Sequence, residues 1–157
     1  MTTANSLYPL NRRRILAGAA GMGLTVILRP AAAQADELAA AVAAYTQGAQ
    51  VRAGKVKLDV AELVDNGNVV PITVTAESPM TTADHVKTIA VFNAKNPQRD
   101  VARFTLGPRA GKASVTTRIR LATSQQLVAV AQMSDGSYWS HTVNVIVTLA
   151  ACIEGEA

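Results

Sequence analysis

From Lys55 to Leu149 apolar and polar residues alternate in short runs, and turn-forming residues separate the runs. Alternation with period two puts successive side chains on opposite faces of an extended chain, so each run reads as a half-buried strand. Val56, Leu58 and Val60 alternate with Lys55, Lys57 and Asp59. Asp65-Asn66-Gly67-Asn68 then reads as a turn, because Asn and Gly tolerate positive φ. Val69 to Thr75 resumes the extended pattern, with Pro71 favouring an edge position or a bulge, until Ser78-Pro79 breaks it. Val86 to Asn93 is an apolar run closed by Asn96-Pro97, and Val101 to Leu106 alternates up to Gly107-Pro108. Ser114 to Leu121 carries Val115, Thr117, Ile119 and Leu121 on one face and Thr116, Arg118 and Arg120 on the other. Leu127 to Met133 is continuously apolar, as expected of a strand covered on both sides. Ser134-Asp135-Gly136-Ser137 is a hairpin turn, and Tyr138 to Leu149 is the last strand. About seven strands at regular spacing predict an all-β fold, an immunoglobulin-like antiparallel β-sandwich. The Cys-Trp-Cys signature of true immunoglobulin domains is absent, so that likeness is architectural. The 157 residues, 49% of them hydrophobic, suffice for one domain with a core. Aromatics make up only 4%, so that core is built from Val, Ile, Leu and Ala.

The first 35 residues read differently, as an export signal. Asn11-Arg-Arg-Arg-Ile-Leu-Ala17 resembles a twin-arginine translocation motif, with Arg12 and Arg13 as the pair. The apolar run Ile15 to Leu28 is too short for a membrane span of about 20 residues. Ala33-Gln34-Ala35 matches the small-x-small pattern of signal peptidase sites, which places cleavage after Ala35. The expected organisation is therefore a signal over 1–35, a sandwich domain over 36–149 and a short flexible tail over 150–157. The signal implies a periplasmic protein with no membrane association of its own. It also accounts for the basic balance. The net charge is +4, and Arg12, Arg13, Arg14 and Arg29 all lie in the signal, so the mature chain is nearly neutral. No basic stripe with interleaved aromatics remains, so no nucleic-acid partner is expected. Asp36 to Tyr45 reads as a short helix, capped by Asp36 and stopped near Gly48, with Leu38, Val42 and Tyr45 on one face.

Few residues carry reactive chemistry. Of the two histidines, His85 lies near a loop and His141 on the final strand, and each is most simply a surface or rim residue. No CxxC, HExxH, Gly-x-Ser-x-Gly or phosphate-binding loop occurs, so neither a metal nor another cofactor is expected. The single cysteine, Cys152, stands three residues past Leu149. A lone cysteine is usually a small buried hydrophobe. Here little chain is left to bury it, and an unpaired cysteine in an exported protein points to an intermolecular bond or a reactive thiol. Glu154 and Glu156 disfavour a thiolate, whereas enzymes that use their own cysteine arrange cationic neighbours. Such a thiol is acted on by partners. Four residues from Thr148 to Cys152 span at most about 13–14 Å when extended, enough to enter another protein's cleft.

Together these residues resemble the SoxY family, the sulfur-carrier subunits of the thiosulfate-oxidising Sox system. Asn66-Gly67-Asn68-Val69-Val70-Pro71, Glu77-Ser78-Pro79-Met80, Lys95-Asn96-Pro97, Thr117-Arg118-Ile119-Arg120-Leu121-Ala122, Ser134-Asp135-Gly136-Ser137 and Cys152 carry the resemblance. It implies an immunoglobulin-like fold and a tight heterodimer with SoxZ. It also implies a carrier, not an enzyme, with Cys152 as the site of covalent sulfur attachment. The resemblance further implies that a haem protein, SoxAX, conjugates the thiol to thiosulfate, that SoxB hydrolyses off sulfate, and that a sulfane dehydrogenase, SoxCD, acts on what remains. The tail departs from the family's Gly-Gly-Cys-Gly-Gly, since the cysteine here sits in Ala150-Ala151-Cys152-Ile153-Glu154-Gly155. The alternative is an immunoglobulin-like protein-binding module whose cysteine is incidental or forms a dimer.

Overall fold

The computed structural model describes residues 31–149, with side chains from Glu37 onward. Among these residues one helix, α1 (Ala31–Thr46), precedes the strands β1 (Val51–Ala53), β2 (Val56–Asp59), β3 (Leu63–Asn66), β4 (Val70–Ala76), β5 (Val86–Asn93), β6 (Asp100–Thr105), β7 (Ser114–Ile119), β8 (Gln125–Met133) and β9 (Tyr138–Leu149). A single 3-10 turn, Pro108–Ala110, links β6 to β7. The larger sheet has the order β1-β9-β8-β5-β6, with β3 also on β9, and the smaller has the order β2-β4-β7. The expected sandwich is borne out, and all seven expected strands are present.

Two strands were not expected. β1 and β3 both pair in parallel with β9, β1 at Tyr138–Ser140 and β3 at Ile146, Val147 and Leu149. The remaining ladders are antiparallel. The chain thus leaves the larger sheet after β1, adds β2 to the smaller sheet and returns as β3. The Asn66–Asn68 turn then crosses between sheets instead of closing a hairpin. Asn68 N–H donates to Asn66 Oδ1 at 2.9 Å inside it. Pro71 also lies elsewhere than expected, on the central strand of the smaller sheet. The β2 ladder stops opposite Thr73, so position 71 is paired only with Arg118 of β7 and its missing donor is tolerated.

The main core fills the space between the sheets with Leu58, Val70, Ile72, Val74, Ile89, Val91, Leu127, Ala129 and Val145 among its members. A second cluster lies on the outer face of the larger sheet, where Leu38 of α1 packs with Ala90, Phe92, Val128, Val130 and Tyr138. β5 and β8 are therefore buried on both faces, which is why they read as continuous apolar runs. Val42 and Tyr45 join Leu38 in this contact, as the helical spacing predicted. The start of α1 was misjudged. It begins at Ala31, so Asp36 lies within it and is not its cap. Ala31-Ala-Ala has the strongest helix preference of any residue type and carries the helix back past the expected start. Its end is as expected: Gly48 takes φ 78° and donates to Ala43 O at 2.9 Å.

Candidate functional site

The strand order places the stretches singled out in the sequence at two opposite ends of the sandwich. At one end, Ser134 N–H donates to His85 O and Ser134 Oγ accepts from His85 N–H, at 2.8 and 3.1 Å. Ser78 Oγ donates to Asp84 O at 3.3 Å and accepts from Met80 N–H at 3.1 Å, which fastens the Ser78-Pro79-Met80 bend there. The β8–β9 hairpin closes with Gly136 at φ 85°. Side-chain and backbone hydrogen bonds from Ser137 hold the Asp135 carboxyl below the usual carboxylate range.

The other end carries the last described residues of β9. β9 finishes at Leu149, whose carbonyl accepts from Gly67 N–H at 2.9 Å, and Gly67 O in turn accepts from Leu121 N–H at 2.8 Å. Thr148 Oγ1 donates to Asp65 O at 3.1 Å. These bonds tie the last strand to β3 and to the end of β7. Next to them, Asn96 joins two loops: its Nδ2 donates to Arg120 O at 2.8 Å, and its Oδ1 accepts from Ala122 N–H at 3.0 Å and from Gln125 Nε2 at 2.7 Å. Gln125 Oε1 accepts from Lys95 N–H at 2.8 Å. Among the described residues no buried side-chain polar atom lacks a partner. Hydrogen bonds thus link the end of β9 with β3 and with the loops after β5 and β7.

Arg12, Arg13 and Cys152 lie outside the described residues, as does the expected tail over 150–157. The two histidines are not brought together. His85 is half-buried at the hairpin end, with Nδ1 3.2 Å from Thr81 O. His141 is exposed near the middle of β9, and its Nδ1 accepts from Leu58 N–H at 3.1 Å, tying β2 to β9 across the sheets. This structural role was not legible from its place on the strand. Asn96 and Gln125 were likewise missed: the sequence marks Asn96-Pro97 as a strand stop and as part of the family resemblance, but not as a junction between loops. Among the described residues there is no group of three or more His, Cys, Asp or Glu that could hold a metal ion. None of their helices is long and apolar enough to cross a membrane.

The family model described as "Sulfur oxidation protein SoxY" matches residues 42–152, so the matched stretch covers most of the chain and ends on Cys152. The chain belongs to the SoxY family. The SoxY sulfur carrier protein from Chlorobium limicola f thiosulfatophilum is similar in structure, with 30% identity and a TM-score of 0.61 over 73% of this chain and 99% of that one. A superoxide reductase (neelaredoxin) variant from Ignicoccus hospitalis shares 18% identity, with a TM-score of 0.55 over 69% of this chain and 86% of the reductase. A putative superoxide reductase from Thermotoga maritima shares 23%, with a TM-score of 0.51 over 66% of this chain and 89% of that one. At these identities the reductases share the sandwich fold alone. No curated protein sequence matches the chain. For a SoxY family member the notable departure is the tail itself, Ala150-Ala151-Cys152-Ile153-Glu154-Gly155.

Proposed function

We propose that this chain is a periplasmic covalent sulfur carrier in thiosulfate oxidation, exported through the twin-arginine pathway by its Arg12-Arg13 signal. Cys152 holds the cargo, and partner enzymes do the chemistry. The observation that carries this reading is the SoxY family match that ends on the chain's single cysteine, three residues past the strand bonded to Gly67. The similarity to the Chlorobium sulfur carrier protein supports it.

The chemistry needs only a thiol within reach. Loading joins the Cys152 sulfur to the outer sulfur of thiosulfate, releasing one proton and two electrons, and a SoxAX-like haem protein takes the electrons. Water then attacks the terminal sulfonate in a SoxB-like hydrolase, which frees sulfate and leaves a persulfide on Cys152. A SoxCD-like dehydrogenase oxidises that outer sulfur. A SoxZ-like subunit pairs with the sandwich as a heterodimer. The carrier contributes a firm base and a tether: from Leu149 to Cys152 the chain reaches at most about 10–11 Å.

Intact-mass spectrometry of the protein from cells oxidising thiosulfate tests this. The expected result is a family of sulfur and sulfonate adducts that map to Cys152. Free thiol or ordinary disulfide alone under those conditions overturns the reading. Cys152→Ser abolishes thiosulfate-dependent turnover and leaves the melting temperature unchanged, since among the described residues the last buried one is Val145.

A further inference from the structure

Asn66-Gly67 is the only Asn-Gly step in the chain. In such a pair the side-chain amide carbon of Asn lies close to the next backbone nitrogen, and glycine has no Cβ to hinder their approach. The surroundings prepare one of these two atoms and restrain the other. Asn66 closes β3, opposite Leu149, and its side chain is exposed. Its Oδ1 accepts from Asn68 N–H at 2.9 Å, which folds the side chain over the Asn66–Gly67 peptide and polarises the amide carbon. The same N–H is placed to stabilise negative charge that builds on this oxygen when the carbon is attacked. Gly67 is buried, its N–H donates to Leu149 O at 2.9 Å, and its carbonyl accepts from Leu121 N–H at 2.8 Å. The Gly67 nitrogen is thus fixed on both sides, with its proton shielded from solvent. Asn68, Asn93, Asn96 and Asn144 are followed by Val, Ala, Pro and Val, whose side chains or ring obstruct the same attack.

We propose that Asn66 is a site of self-modification, deamidation through a cyclic imide, and that the end of β9 gates it. When Leu149 O leaves Gly67, water takes the Gly67 proton and the nitrogen attacks Asn66 Cγ. The new C–N bond closes a five-membered imide, and the side-chain nitrogen departs with a proton as ammonia. Water then opens the imide at either carbonyl and leaves aspartate or isoaspartate at position 66. Overall a water is consumed and an ammonia released, with no oxidant, reductant or cofactor. Opening at the backbone carbonyl routes the main chain through the side chain and inserts a methylene before Gly67. That insertion moves Gly67 out of its bonds to Leu149 and Leu121, which link β9 and the end of β7. The modification therefore runs one way: release of Leu149 permits it, and the isoaspartate product keeps Leu149 released. It proceeds without a partner and stands apart from the carrier reading.

The test compares three freshly purified proteins held at neutral pH: the full chain, a chain ending at Leu149 and a chain ending at Thr148. The second keeps the guarding carbonyl as part of its terminal carboxylate, and the third lacks it. Peptide mass mapping with isoaspartate detection follows conversion at Asn66, with the other asparagines as internal controls. The expected result is equally slow conversion in the first two and conversion about tenfold or more faster in the third, with the controls unchanged. Hydrogen exchange of the Gly67 amide in the full chain keeps the test open if the shortest chain fails to fold. As temperature is raised, conversion at Asn66 is expected to follow the opening of Gly67 and not the slower opening of the core amides of β5 and β8. Equal conversion in the two shortened chains, both folded, overturns the gate, as does conversion that follows the core amides. Absence of conversion at Asn66 in the urea-unfolded full chain overturns the site itself.

Discussion

Asn96 shows how much one polar side chain does at the tail end. Its amide serves one donor and two acceptor contacts, to residues 24, 26 and 29 positions away. Replacing it with alanine strands Ala122 N–H, Arg120 O and Gln125 Nε2, two of them in half-buried surroundings. Asn96→Ala is expected to lower stability by about 2–3 kcal/mol, read as a shift in urea midpoint. A loss below about 0.5 kcal/mol means that water replaces these bonds freely. Asn96→Asp keeps the acceptor and replaces the donor to Arg120 O, so it falls between alanine and wild type. The sequence marks Asn96-Pro97 as a breaker because Pro ends strands. It does not show that the Asn amide meets residues more than twenty positions on, since periodicity reports only neighbours on one element. Cys152 is the opposite case. Its isolation and its place after the last strand are visible without any fold, whereas the bonds from Gly67 and Asp65 at the end of β9 are not.

At the scale of elements, the alternating and continuous runs predicted β2 and β4 to β9 well, because one or both faces of each are buried. β1 and β3 escaped for a physical reason. Each is three or four residues long, with burial too irregular to leave a period, and each is held by a parallel partner some 85 residues away in sequence. Such non-local ladders have no local signature. Helix α1 is held by its apolar stripe and by Tyr45, whose hydroxyl is bonded to Thr88 Oγ1 and whose ring lies under the Arg103 guanidinium at 4.9 Å. Burial raises the Tyr45 pKa above its ordinary value, against smaller opposing effects of Thr88 and Arg103. The folded state therefore holds this proton more tightly than the unfolded chain. The associated stability is complete below the unfolded value of about 10 and is lost as pH rises through the higher folded value. Urea midpoints are expected to fall above about pH 10 in the wild type, and Tyr45→Phe removes that alkaline component. An identical alkaline slope in the variant assigns it to other groups.

At the scale of the whole molecule, the carrier proposal separates a scaffold, the sandwich, from a tether, residues 150–157. Among the described residues the core closes at Val145, and the last bonds that hold β9 come from Gly67 and Asp65 at Leu149 and Thr148. Removal of residues 150–157 is therefore expected to leave the sandwich as stable as the full chain, within about 0.5 kcal/mol, while thiosulfate-dependent turnover vanishes. Removal from Ile146 onward differs by only four more residues, yet it deletes the whole β3–β9 ladder and the partly buried Val147 that packs on the core. It also frees Gly67, and with it the contact to Leu121 that joins the two sheets at this end. That truncation is expected to cost several times the first and to broaden the unfolding transition. The contrast decides between the two readings of the chain. A binding module with an incidental cysteine keeps its activity after the shorter cut, because its working surface is the sandwich. A carrier loses its activity at once, because the thiol that takes the cargo goes with the removed residues.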